Sequence, residues 1–147
     1  MRLSAKGEYG VRAMISLTLE ESGGPVPLRN IAEKEGISEQ FLEQIFLELR
    51  RAELIKSVRG PRGGYLLARN SAEISIGEIV EALEGPIAPV DCLAQEGSGR
   101  NRCEHVRKCL SIDVWIKLRD AVKGLLDGIS LADLCFGEKA EKTTAMV

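Results

Sequence analysis

The stretch Leu54-Ile55-Lys56-Ser57-Val58-Arg59-Gly60-Pro61-Arg62-Gly63-Gly64-Tyr65-Leu66-Leu67-Ala68 decides the architecture. Residues 54–58 alternate apolar and polar like a strand, and residues 65–68 read as the return strand. Between them Gly60, Pro61, Gly63 and Gly64 mark a hairpin tip. Upstream, Ser38 caps a helix predicted over 38–52, whose buried stripe is Leu42, Ile45, Phe46 and Leu49. Gly36 separates it from a shorter helix over 28–34, with Leu28, Ile31 and Ala32 inward. Two short helices joined through a glycine-bearing turn are the helix-turn-helix signature. A further helix, capped by Ser4 and running to about residue 20, precedes them, with Val11, Met14, Ile15 and Leu19 on one face. Three helices followed by a hairpin give the winged-helix order, so the expected fold class is mainly α with one small β-hairpin.

Beyond the hairpin, Ser75 and Glu78 have capping-box spacing ahead of Ile79, Val80 and Leu83, and Gly85-Pro86 stops that helix. Residues 86–110 read as a loop. A long amphipathic helix follows to residue 127, with Ile112, Trp115, Ile116, Ala121, Val122, Leu125 and Leu126 as a broad apolar stripe. Ser130 and Asp133 open a short last helix. The expected division is a DNA-binding head over 1–85, a cysteine-bearing loop over 86–110, a dimerisation helix and terminal helix over 111–137, and a frayed tail over 138–147. The long stripe exceeds what one small head can hide. Pairing with the same helix of a second subunit is its simplest use, with Trp115, Leu118, Val122 and Leu125 as the expected dimer contacts.

The chain of 147 residues, 44% apolar, suits one compact domain with an appended arm, and its 4% aromatic content makes the expected core largely aliphatic. No run of about 18 apolar residues occurs, so no membrane span is expected, and a cytoplasmic location is. The net charge is −2, which argues against indiscriminate nucleic-acid binding, but its distribution is uneven. Residues 1–69 carry 11 basic and 9 acidic groups, and residues 70–147 carry 9 and 13. Lys56, Arg59, Arg62 and Arg69 lie in a strip free of acids, as a small DNA footprint requires.

The helix opened by Ser38 is the candidate reader. Ser38, Glu39, Gln40, Glu43 and Gln44 lie on its outward face near the end that meets base edges in a major groove. Glutamine can pair with adenine and glutamate can accept from cytosine, while Glu43 also repels phosphate. At the hairpin tip, Arg59 and Arg62 flank Gly60 and Pro61. Two guanidinium groups on a glycine-rich turn can enter a narrow, electronegative minor groove.

Cys92, Cys103 and Cys109 fall in one loop-rich stretch with His105. In a cytosolic chain they point to metal, redox or packing roles rather than a disulfide scaffold. Their loose intervals exclude the paired spacing of most zinc ribbons and the close run of bacterial ferredoxins. Spacing alone leaves a metal or cluster site, a thiol switch, and uncoordinated cysteines open. A three-thiolate site needs a fourth ligand: His105 is local, and Glu8 is available if a partner's first helix packs here. Cys135, among Leu131, Leu134 and Phe136, reads as a core residue.

The opening Met1-Arg2-Leu3-Ser4-Ala5-Lys6-Gly7-Glu8-Tyr9-Gly10 resembles the start of the IscR/NsrR/CymR family of bacterial regulators. So do Phe41-Leu42-Glu43-Gln44 after Ile37-Ser38, Val58-Arg59-Gly60-Pro61 with Gly63-Gly64-Tyr65, and Leu83-Glu84-Gly85-Pro86, and the likeness covers residues 1–135. It implies a homodimer with winged heads on double-stranded DNA, with Ser38, Gln40, Phe41, Glu43 and Gln44 in the major groove and Arg59 in the minor groove. Cluster-binding members carry three cysteines just before the long helix, where Cys92, Cys103 and Cys109 stand. The resemblance therefore implies an iron–sulfur cluster, 2Fe-2S favoured and 4Fe-4S open. The cluster-assembly regulator's histidine, three residues after its last cysteine, is Ile112 here, so that ligand does not carry over. In some relatives an acidic residue near the N-terminus reaches the cluster across the dimer, and Glu8 occupies that place.

The expected function is a dimeric repressor that reads cluster or redox state. The rivals are a winged-helix regulator with a zinc or thiol–disulfide switch and, in another class, a small electron-transfer protein. The reader helix and arginine wing oppose the latter, and no acid–base pair for an enzyme is evident.

Overall fold

The computed structural model describes residues 2–93 and 109–137. The order is α1 (Ala5–Glu20), α2 (Leu28–Glu35), α3 (Glu39–Arg51), β1 (Ile55–Val58), β2 (Gly64–Leu67), α4 (Ile76–Glu84), α5 (Ile112–Asp127) and α6 (Leu131–Phe136), with short 3-10 turns between some of them. This is the expected helix–helix–helix–hairpin head followed by a long helix.

The capping residues seen in the sequence set the helix starts. Ser38 Oγ accepts from the Phe41 amide at 3.1 Å and fixes the first turn of α3. Ser75 and Ser130 each form a full capping box, with Glu78 and Asp133 respectively. α1 has a second, non-local cap: Glu84 Oε1, at the end of α4, accepts from the amides of Ser4 at 3.0 Å and Gly7 at 3.1 Å, and from the Ser4 hydroxyl. A carboxylate at a helix N-terminus satisfies free amides and opposes the dipole.

The core is aliphatic around one aromatic. Met14, Leu17, Ile31, Leu42, Ile45, Phe46, Leu49, Ile74, Ile79 and Leu131 are fully buried. The α3 stripe forms as its spacing predicts. The α1 stripe forms in part: Met14 is buried and Val11 and Ile15 pack half-buried against the core, alongside buried Gly7, Gly10, Ala13 and Leu17, whereas Leu19 is 47% exposed. The small residues let α4 come close, and a Cβ on Gly10 would lie 2.0 Å from Leu83 Cδ1.

β1 and β2 pair antiparallel in the register Ile55↔Leu67, Lys56↔Leu66, Ser57↔Tyr65 and Val58↔Gly64. Val26, between two prolines, adds a one-residue edge: its amide donates to Tyr65 O at 2.9 Å and its carbonyl accepts from the Tyr65 amide at 2.8 Å. The backbone of Gly64 approaches so closely that a Cβ there would sit 2.4 Å from the Val26 carbonyl.

α5 has no buried residue, although its stripe is apolar. It is fixed to the head at its C-terminal end. The Ile76 amide donates to Ile129 O at 2.8 Å, the Leu131 amide to Ile74 O at 2.9 Å, and Lys123 pairs with Glu81 at 2.7 Å. Among the described residues, no helix is long and apolar enough to cross a membrane.

Candidate nucleic-acid interface and cysteine segment

The outer face of α3 presents Ser38, Gln40, Glu43 and Gln44 to solvent, while Leu42, Ile45, Phe46 and Leu49 hold its inner face in the core. Phe41 sits differently from those polar residues. It is half-buried, edge-to-face on Tyr9 with centroids 6.1 Å apart, so its ring is shared between the core margin and the helix start. A groove of about 630 Å³ runs between α3 and the hairpin, lined by Gln40, Glu43, Gln44, Leu47, Arg50 and Tyr65.

The hairpin tip is a tight turn. The Gly63 amide donates to Gly60 O at 2.9 Å, with Pro61 at the second turn position. Gly60 has φ +116°, a backbone conformation that other residues rarely adopt. Arg59, Gly60 and Arg62 are all exposed at the tip.

Ion pairing sorts the head's cations. Lys6 pairs with Glu48, Arg12 with Glu35, Arg29 with Glu33 and Glu39, and Lys34 with Glu20. Arg69 pairs with Glu78 at 2.8 Å. The basic strip read from residues 54–69 is therefore shorter at its far end, because Arg69 is partly neutralised. It is longer at its near end: among the described residues, Arg50, Arg51, Lys56, Arg59 and Arg62 meet no carboxylate. Arg50 Nη1 donates instead to Ser57 Oγ on β1 at 3.2 Å, tying the end of α3 to the hairpin. The sequence reading missed Arg50 because it lies inside a helix, seven residues from the strand residue that holds it.

Cys92 and Cys109 are half-buried free thiols on either side of the segment outside the described residues, which contains Cys103 and His105. Cys109 Sγ lies 3.1 Å from Ser111 Oγ, and this hydroxyl, with the Ser111 amide, holds the thiol below its ordinary pKa. Cys135 is the opposite case. Burial pushes its thiol up, and its Sγ sits 3.9 Å from Ile15 O on α1, at the margin of the core. Glu8 is exposed in the first turn of α1, and its carboxylate engages no described residue. Among the described residues, no three metal-ligating side chains gather in one place.

A model of the family Rrf2, described as iron-dependent transcriptional regulator, matches residues 3–137. The chain belongs to the Rrf2 family. It is 41% identical over 134 residues to the HTH-type transcriptional regulator IscR of Escherichia coli, covering 91% of this chain and 80% of that one. The IscR of Cronobacter sakazakii matches to the same extent. Among solved structures, T. potens IscR is similar with a TM-score of 0.74 and 38% identity, over 97% of this chain and 90% of that one. CymR, the global cysteine regulator of B. subtilis, is similar with a TM-score of 0.72 and 40% identity, over 92% and 96%. The chain is thus a winged-helix transcriptional regulator of the IscR type and not an enzyme.

Proposed function

We propose that the chain acts in the cytoplasm as a homodimeric repressor that reports iron–sulfur cluster or redox state to DNA. Gln40, Glu43 and Gln44, with Ser38 and Phe41 at the helix start, read base edges in the major groove. Arg59 and Arg62, spread by the Gly60 turn, enter the adjacent minor groove. Trp115, Leu118, Val122 and Leu125 pair α5 with its copy, so that two heads span a pseudo-palindrome.

The single observation that carries the sensing part is the placing of accessible, uncrosslinked thiols. Cys92 and Cys109 bracket the segment that joins the head to a helix with no buried residue. The donor chemistry fits an iron–sulfur cluster: half-buried soft ligands, one of them held toward thiolate by Ser111, outside the apolar core. Cys92, Cys103 and Cys109 would hold it, with the partner subunit's Glu8 as fourth ligand and His105 as the alternative. A bound cluster, 2Fe-2S in our reading, supplies redox and ligand-exchange chemistry. The protein's part is to link the occupancy of these side chains to the setting of α5, and through Lys123–Glu81 to the head.

Anaerobic purification followed by a visible spectrum and iron and acid-labile sulfide analysis tests this. A brown protein with sulfide near stoichiometry with iron is expected, with colour lost in Cys92→Ala, Cys103→Ala and Cys109→Ala. A colourless protein that resists reconstitution and retains zinc would replace the cluster by a zinc or thiol switch.

A further inference from the structure

Between a major groove read by α3 and a minor groove entered by the hairpin tip, the protein must cross one phosphate backbone. The residues that lie between these two contacts are those lining the groove between α3 and β2. There, Arg50 projects from the last turn of α3 and is held by Ser57, and Ser57 is the cross-strand partner of Tyr65. Tyr65 is anchored in turn, its ring edge-to-face on buried Phe46 with centroids 4.9 Å apart. Arg50 and Tyr65 line the same groove as Gln40 and Gln44.

We infer that Arg50, Ser57 and Tyr65 form a clamp for one backbone phosphate of the bound DNA strand. The inference rests on the DNA-reading part of the proposed function. Three features support it. Among the described residues Arg50 meets no carboxylate, like Arg51, Lys56, Arg59 and Arg62 but unlike Lys6, Arg12, Arg29, Lys34 and Arg69, and of these unpaired cations it is the one that lines the groove. Its one described hydrogen bond uses a single guanidinium nitrogen on a neutral hydroxyl, which leaves other donors of the planar fork for a phosphate oxygen. The Ser57 and Tyr65 hydroxyls add neutral donors on one face of the hairpin, and a phosphate accepts from several donors at once. Glu43 in the same groove repels phosphate, so the clamp is confined to the end nearer Arg50.

The test measures binding of the protein to two duplexes, one selected from a randomised pool and one of mixed sequence, across a salt series. Arg50→Gln is expected to weaken both about equally and to reduce the slope of log affinity against log salt by about 0.9 per head, so about 1.8 per dimer. From about 50 to about 200 mM salt, the gap to wild type then narrows roughly twelvefold. Arg50→Lys keeps a point charge and retains most of the slope. Tyr65→Phe keeps the ring packing and removes one donor, so affinity falls severalfold with the slope unchanged. Arg69→Gln, whose cation is already paired, leaves the slope where it was. An unchanged slope in Arg50→Gln, in protein that melts like wild type, overturns the clamp and leaves DNA reading intact. Altered base preference instead of uniform weakening makes Arg50 a base reader and also overturns it. Wild type that shows no salt-dependent binding to either duplex sinks the DNA reading and the clamp together.

Discussion

α3 and α5 are both amphipathic helices, of 13 and 16 residues, and they end in opposite situations. α3 spends its apolar face inside its own head, with Leu42, Ile45, Phe46 and Leu49 at 0% exposure. α5 leaves Val114 at 57%, Leu118 at 39% and Leu125 at 66% exposed. The same pattern thus has two outcomes. Where neighbours in the chain supply a core, the polar face is left over and can read DNA. Where they do not, the apolar face is left over, and it is the face that the proposed dimer would cover.

The sharpest way to break this comparison is to cut into α3. Phe46 is enclosed and carries Tyr65 on its edge, so Phe46→Ala is expected to destabilise the head by about 3–5 kcal/mol. Urea unfolding should show that loss at every protein concentration. A loss under about 1 kcal/mol would mean that α3 is not the keystone of the core.

A leucine pair tests the contrast itself. Leu49→Ala in α3 should cost about 2–5 kcal/mol, independent of concentration. Leu125→Glu in α5 should leave the unfolding of the isolated head unchanged and instead break association. In sedimentation the species should fall from a dimer to the 16.0 kDa chain. On the proposed seam, a charge would remove roughly 1.5–3 kcal/mol of burial per leucine, twice over by symmetry, before repulsion is added. A Leu125→Glu protein that sediments as a dimer would move the interface away from α5.

The polar side of α3 is the next step down. Gln44→Ala should change no melting curve, because Gln44 is exposed and outside the core. It should cost about 1–3 kcal/mol in binding to the preferred duplex and relax the preference at one base pair. Equal weakening at all sequences would make Gln44 a backbone contact.

The sequence disclosed the packing face of α3 better than that of α1, for physical reasons. Four bulky apolar residues at helical spacing can only be a buried stripe, and Ser38 and Gly36 marked its limits. In α1 the packing face joins Met14 and Leu17 to Gly7, Gly10 and Ala13, small residues that carry little apolar signal by themselves. Their meaning is close approach to α4, which depends on a partner some 70 residues away in the chain, and Leu19 was counted inward by spacing alone. The Glu84 cap, the Val26 edge and the Arg50–Ser57 bond are likewise contacts between distant or differently structured segments. Charge counting erred the same way: Arg69 belongs to the basic strip in sequence, but its ion pair with Glu78 sets it apart from Arg59 and Arg62. The cysteines were legible as a trio, of which Cys103 lies outside the described residues.

Glu78 carries the smallest expected effect, and it bears on the element that α3 and α5 share, since both pack on α4. Burial raises its carboxyl, but the Arg69 guanidinium and the Ser75 amide outweigh this and hold its pKa below the ordinary value of 4.5. A folded-state pKa lower than the unfolded one means stability that is present above about pH 4.5 and is lost as pH falls through the folded value. The Arg69 pair is about 40% exposed on both sides, so solvent screens it and it contributes only a few tenths of a kcal/mol; the capping box adds roughly another 0.5–1. Glu78→Gln keeps the acceptor for the Ser75 amide and removes the charge. It should therefore melt slightly below wild type at neutral pH and coincide with it once pH falls below the folded pKa of Glu78. A gap that persists unchanged in acid would assign the effect to packing of the side chain rather than to its charge. The joint between α3 and α5 through α4 would then owe nothing to the Arg69–Glu78 ion pair.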